Sequence, residues 1–319
     1  MKTWLGGLER SVDSYYRAML DAGGMQPLLS FYYTRPHTMK QQAMITPDQF
    51  TFFLDSGAYS AWTMGAKIDI DEYCAFIKAN IETIEVYACL DSIPGKIGQI
   101  ASTAERNAAA ELTWKNYLYM RGEGLDPLPV YHYGEDQRFL DRMLEYGCEY
   151  IGIGGLVGVP SGSRQVWLDR LFSYLTDDFG MPRIKTHGFG MTAVPLIFRY
   201  PWYSVDSTSW IQATANGAIY LPAKEQGQFV FDRTPMTVSV SSKNPKAGAN
   251  GKAANTMSQS MRAILQEWLD VCGVTYEQVA DDYRHRAVCN ATFFRKVSEL
   301  KAVHPFNIKE QVKRASLWN

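Results

Sequence analysis

The sequence predicts an α/β protein organised as a (β/α)8 TIM barrel, followed by a C-terminal β-ribbon and helical extension. Three observations predict it. Short, near-continuous apolar runs recur along the first two thirds of the 319 residues, each closing on Gly, Asp, Ser or His. Segments of helical spacing lie between them. No GxGxxG follows a strand and opens a helix, which weakens a dinucleotide-binding open sheet. Strands that are apolar on both faces and alternate with amphipathic helices are parallel strands covered by helices.

In chain order the runs are PLLSFYY (27–33), FTFFLDSG (50–57), EVYACLDS (85–92), PLPVYHYGE (127–135), YIGIGGL (150–156), RIKTHGFG (183–190) and WYSVDSTSW (202–210). An eighth strand is expected at GAIYLPA (217–223). The intervening DEYCAFIKANI, STAERNAAAELTWKNYL, QRFLDRMLEYG and RQVWLDRLFSYL carry the 3.6-residue apolar period of helices. Beyond residue 225 the texture changes. QGQFVFDRTPMTVSVSS alternates as a β-ribbon does, and KNPKAGANGKAANTMS has no apolar period. SMRAILQEWLDVCG reads as a helix stopped by Gly273, and RHRAVCNATFFRKVSELKAVH as a further helix. The expected division is a catalytic barrel over 1–225 and a basic extension over 226–319.

Composition excludes several classes. An apolar fraction of 46% with 20% charged residues is that of a globular protein, not a disordered or collagenous one. MKTWLGGLERSVDSYY has no apolar signal core, and no run approaches the roughly 18 apolar residues of a membrane span, so a soluble cytoplasmic protein without membrane partners is expected. Cys74, Cys89, Cys148, Cys272 and Cys289 form no CxxC or CxC pair, which argues against a disulfide framework or a cysteine zinc site. Residues 241–319 carry 12 Lys and Arg against 7 Asp and Glu, whereas residues 1–240 carry 20 against 26. The chain is acidic first and basic last.

In a (β/α)8 barrel the chemistry lies at the carboxyl ends of the strands. There the sequence presents Asp55, Asp91, His132, the pair Gly154-Gly155, His187 and Asp206. Taken singly, an acid after a strand often caps the next helix, and a histidine is more often structural than catalytic. The set points further, because Asp55, Asp91 and Asp206 each follow Leu or Val at matching positions in three runs. No HxH, HExxH or GxxxxGK[ST] is present, so no metal or phosphate-loop cofactor is expected. Paired carboxylates suit double displacement at an anomeric carbon: one attacks C1′ and another moves the proton of the leaving and entering groups.

DSGAY (55–59), LDS (90–92), YIGIGGL (150–156), HGFG (187–190) and SVDSTSW (204–210) resemble, in order and spacing, the motifs of the tRNA-guanine transglycosylase superfamily. That resemblance spans roughly residues 25–225. It implies exchange of a polynucleotide guanine for a free 7-deazaguanine, such as 7-cyano-7-deazaguanine, through a covalent intermediate. Asp206 is then similar to the nucleophile and Asp55 to the general acid/base. Asp91 resembles the acceptor of the base's N1–H and amino group. Gly154 and Gly155 match the backbone contacts to the base carbonyl, and Tyr59, beside Ser56 and Gly57, matches the stacking aromatic. His132 falls near the family's strand-four glutamine, and His187-Gly188 where a methionine usually stacks.

The departures are informative. The CxCxxC zinc site is missing, Ala58 replaces a turn glycine, and GGLVGVP lacks the glutamate of GGLAVGE. A zinc-less barrel with a different C-terminal section looks more like the DpdA-like, phage-type DNA-guanine transglycosylases. DNA is then the expected partner, in the host cytoplasm. A guanine in a duplex has to be flipped out to reach a barrel mouth. Lys243, Lys246 and Lys252 in SSKNPKAGANGK, with Arg284 and Arg286, are expected to meet the phosphates. Base exchange on tRNA, and a non-catalytic barrel that binds nucleic acid or a base, are the alternatives.

Overall fold

The computed structural model of the chain describes residues 1–10, 12–34, 51–243 and 253–301. Eight strands form one parallel sheet: β1 (Lys2–Gly6), β2 (Gln26–Ser30), β3 (Phe52–Asp55), β4 (Ile84–Tyr87), β5 (Val130–His132), β6 (Tyr150–Gly154), β7 (Lys185–Gly188) and β8 (Ser204–Ser207). The order β4-β3-β2-β1-β8-β7-β6-β5 leaves β4 and β5 at its ends, and these meet just beyond β4. Ala88 bridges Leu128 in parallel, with Cys89 N donating to Leu128 O at 2.8 Å and Leu128 N to Tyr87 O at 2.8 Å. The sheet thus curls into the expected (β/α)8 form.

One strand differs from expectation. The first barrel strand is KTWLG at the N-terminus, which pairs with β2 on one side and β8 on the other. GAIYLPA is not in the barrel. Its strand β9 (Ala218–Leu221) instead runs antiparallel to β12 (Met236–Ser239). The expected ribbon is also divided, because β10 (Ala223–Glu225) and β11 (Gln228–Val230) make a separate hairpin. The reason is packing. Trp4 enters the barrel lumen with Leu28, Phe53, Ala88 and Leu128, closing the floor with a layer of side chains. Its ring meets Phe53 edge-on at 5.7 Å.

The six helices expected from the apolar period are present, with others beside them, starting with α1 (Val12–Asp21) and the short α2 (Ala58–Thr63), neither of which was among those expected. Next come α3 (Ile70–Ala79), α4 (Thr103–Gly122), α5 (Gln137–Glu145) and α6 (Ser161–Leu175), then α7 (Val194–Arg199) and α8 (Ser209–Ala215). Local chemistry fixes their starts: Asp69 caps α3, Asp136 caps α5, and Ser102 with Glu105 forms a capping box at α4. The extension adds α9 (Gln259–Cys272), α10 (Tyr276–Asp281) and α11 (Tyr283–Lys301). Gly273 ends α9 in the left-handed conformation at φ 70°.

Helix α11 lies over the side of the barrel where β1 meets β8. Asn290, fully buried, donates to Trp210 O at 3.2 Å, Thr214 Oγ1 at 2.9 Å and Ala218 O at 3.2 Å, and accepts from Tyr220 N at 2.8 Å. Ser298 Oγ donates to Met1 O at 2.6 Å. The extension is thereby bonded to α8, β9 and the first residue of the barrel.

Candidate active site

The carboxyl ends of β3, β4 and β8 carry the three acids the sequence singled out. Asp55 is the last residue of β3, and its Oδ2 accepts from Gly57 N at 3.0 Å. Gly57 has φ 78°, and a Cβ there would sit 2.5 Å from Tyr32 Cβ and 2.6 Å from Ser30 Oγ. Only glycine fits this turn, and the turn points the Asp55 carboxyl at the mouth. Burial, then the charges of Asp91, Asp206 and Glu9, push Asp55 up to about 8 against the opposing Gly57 N–H. The carboxyl therefore carries a proton at neutral pH.

Asp91 is held from two sides. Ser56 Oγ donates to Oδ1 at 3.0 Å, and His132 Nε2 lies 2.9 Å from Oδ2. On its other side His132 Nδ1 lies 2.9 Å from Glu135 Oε1. Burial disfavours the imidazolium, but hydrogen bonds and charge from Asp91 and Glu135 overcome that and push His132 up to about 10. Gly154, next to His132 in the sheet, leaves room for the ring: a Cβ there would meet His132 Cδ2 at 2.9 Å.

Asp206, 6% exposed, accepts from Gly190 N at 2.7 Å through Oδ1. His187 Nε2 lies 3.3 Å from the same oxygen, at ion-pair distance but not aligned as a hydrogen bond. His187 Nδ1 is 2.6 Å from Ser204 Oγ, which is 2.6 Å from Tyr150 OH. Asp206 therefore stands beside a polar chain that runs through His187 of β7 and Ser204 of β8 to Tyr150 of β6. The ring of His187 is wedged between Phe53, at 4.6 Å, and Phe189, at 4.5 Å.

Several of the expected substrate contacts are buried within the protein. Ser56 and His187 have no exposed surface, Gly188 is buried, and His132 has both ring nitrogens engaged within the protein. Ser56 and His132 hold Asp91, and His187 stands beside Asp206. Tyr59, by contrast, is 53% exposed, and Gly155 is exposed at φ 70°. Arg286 is also buried. It donates to Thr214 O, Val279 O and Ala280 O, so it ties α11 to α8 and α10 and meets no phosphate. Arg284 is exposed but paired with Asp282, its Nε 2.7 Å from Oδ2. Lys243 is exposed, whereas Lys246 and Lys252 lie outside the described residues.

Three mouth residues went unassigned in the sequence. Glu9, between β1 and α1, accepts from Ser30 N at 2.6 Å and adds its charge near Asp55. Tyr33, after β2, is 43% exposed. Glu135 sits three residues beyond His132, and that H-x-x-E spacing after a strand was the available signal. Among the described residues no cluster of three His, Cys, Asp or Glu side chains is arranged to hold a metal ion, and no helix is long and apolar enough to cross a membrane.

No protein-family model matches the chain, and no curated protein matches it. Two solved structures of tryptophan synthase from Pyrococcus furiosus align with it, a mutant α-subunit and the α2β2 complex. They are 10% and 11% identical, cover 67% and 68% of this chain and 88% and 90% of their own, and give TM-scores of 0.38 each. A short-chain dehydrogenase from Streptomyces avermitilis aligns over 99% of this chain and 98% of its own, at 14% identity and a TM-score of 0.21. Likenesses at these scores carry no argument about what the chain does.

Proposed function

We propose that the chain is a DNA-guanine transglycosylase, an enzyme that exchanges guanine in DNA for a free 7-deazaguanine by double displacement. The observation that carries this is the convergence of three held carboxyls at the strand ends: Asp55 on Gly57 N, Asp91 on Ser56 Oγ and Asp206 on Gly190 N. The Asp55 carboxyl is pushed up to about 8 by burial and by the charges of Asp91 and Asp206 beside it. A carboxyl raised by burial beside other carboxyls is suited to act as the acid next to a nucleophile.

In the first displacement an Asp206 oxygen attacks C1′ and forms the C1′–O bond. The C1′–N9 bond breaks, its electron pair leaves with guanine, and Asp55 gives up its proton to the departing base. In the second, the Asp55 carboxylate takes the N9 proton of the entering 7-deazaguanine. N9 attacks C1′ and expels Asp206, so the enzyme returns to its starting state. Gly190 N–H, bonded to Asp206 Oδ1, fixes the attacking group in one orientation. Tyr59 stacks on the base, and Asp91 accepts from its N–H edge. Lys243, with Lys246 and Lys252, holds the phosphates.

The test is incorporation of labelled guanine or 7-cyano-7-deazaguanine into duplex DNA, single-stranded DNA and tRNA, with Asp206→Asn as control. Label entering DNA and lost in the variant is the expected result. Label entering tRNA alone would move the substrate to RNA. No label in any of the three would overturn the enzyme in favour of a binding barrel.

A further inference from the structure

We infer that His132 and Glu135 form a positioning pair for Asp91, a doubly protonated ring between two carboxylates that fixes Asp91 at the mouth as an acceptor for the entering base. Each ring nitrogen lies 2.9 Å from a carboxylate oxygen, Nε2 from Asp91 Oδ2 and Nδ1 from Glu135 Oε1. A neutral imidazole has one N–H and one lone pair. It can serve one of these carboxylates as donor, but it then turns a lone pair towards the other. Both contacts are satisfied at once when the ring carries two protons.

Glu135 supplies the reason the ring stays charged. Its side chain is 5% exposed, Oε1 faces His132, and Oε2 is buried without a hydrogen-bond partner. A neutral acceptor at 135 would satisfy Nδ1–H equally well. What the carboxylate adds is a second negative charge, enough to overcome the burial that opposes the imidazolium. Gly134, at φ 79°, and the bond from Tyr131 OH to Glu135 O at 3.1 Å turn the chain so that residue 135 comes back beneath residue 132.

The consequence falls on Asp91. Ser56 Oγ occupies one oxygen and His132 the other, so the carboxyl has a single rotamer and its remaining lone pairs are free for a ligand. The titratable groups around it are Asp55 after β3, Asp206 on β8, Glu9 after β1, and the buried Tyr73 and Cys89. Asp91, Asp206 and Glu9 place negative charge around Asp55, whereas the His132 ring sits against Asp91 and Glu135.

The role in base binding rests on the transglycosylase reading, whereas the protonation of the ring does not, so the test has two parts. In the full-length protein labelled with 15N-histidine, both His132 nitrogens should show imidazolium shifts up to pH 8.5. In Glu135→Gln, which keeps shape and hydrogen bond, the ring should lose a proton between pH 6 and 8. In base exchange, Glu135→Gln should raise KM for the entering base about tenfold with kcat changed less than about threefold, and the defect should deepen as pH rises. A neutral ring in the wild type at pH 7.5, or a variant that titrates and binds as the wild type does, overturns the inference. If the wild type exchanges no base, the functional proposal fails and the ring shifts alone decide the pair.

Discussion

Replacing Asp55 with Asn should abolish exchange and stabilise the fold, and the stabilisation should grow with pH. In the unfolded chain Asp55 loses its proton near 3.8, but in the folded protein it keeps it to about 8. Below pH about 4 the group is protonated in both states and contributes alike. Above that, the unfolded state releases a proton that the folded state retains. The stability conferred by the bound proton is therefore whole below pH about 4 and is lost as pH rises to about 8. The span is about 4 units at 1.36 kcal/mol each, so the ceiling is about 6 kcal/mol. Water at the mouth, where Asp55 is partly exposed, lowers this to about 2–4 kcal/mol. Asn, isosteric and always neutral, escapes the loss. Urea melts of both proteins at pH 5, 6, 7 and 8.5 measure the gap between them. It should widen steadily to pH 8 in favour of Asp55→Asn. A gap that stays flat, or a variant less stable than the wild type at pH 8.5, would refute the protonated Asp55.

Other predictions follow from the same geometry. Gly57→Ala forces a Cβ into Tyr32 at a left-handed φ, so it should cost about 2–3 kcal/mol in a thermal melt and misdirect Asp55. Asn290→Ala removes three donated bonds and strands Tyr220 N, and should lower stability by about 2–4 kcal/mol in chemical denaturation. Arg286→Met should destabilise by a similar amount of about 2–4 kcal/mol, while the solvent-facing Arg284→Ala stays within about 0.5 kcal/mol. Lys243→Ala should leave the melt unchanged and weaken DNA binding, reducing the slope of log affinity against log salt by about 1.

The barrel was legible because parallel strands buried on both faces read as continuous apolar runs, and six helices declared themselves by their period or their caps. KTWLG escaped because its apolar run is only two residues, Trp4 and Leu5, beside a buried Thr3 that no apolar count registers. GAIYLPA misled for the opposite reason. An apolar run looks the same whether it joins a parallel barrel or pairs with β12 outside it. At the site, the acids were visible because strand ends can be located from sequence. Depth was not: Ser56, His187 and Arg286 are residue types that serve ligands at a surface and satisfy backbone or carboxylate groups when buried. Only the packing of Phe53 and Phe189 around His187, or the carbonyls around Arg286, decides which.

The covalent role of Asp206 is the central claim, and adduct trapping tests it most directly. The protein is incubated with a guanine-containing DNA oligonucleotide, denatured and digested, and its peptides are weighed. The peptide holding Asp206 should carry an abasic deoxyribose fragment that is absent from Asp206→Asn. Base exchange that proceeds with no adduct, or with the adduct on another residue, would contradict it.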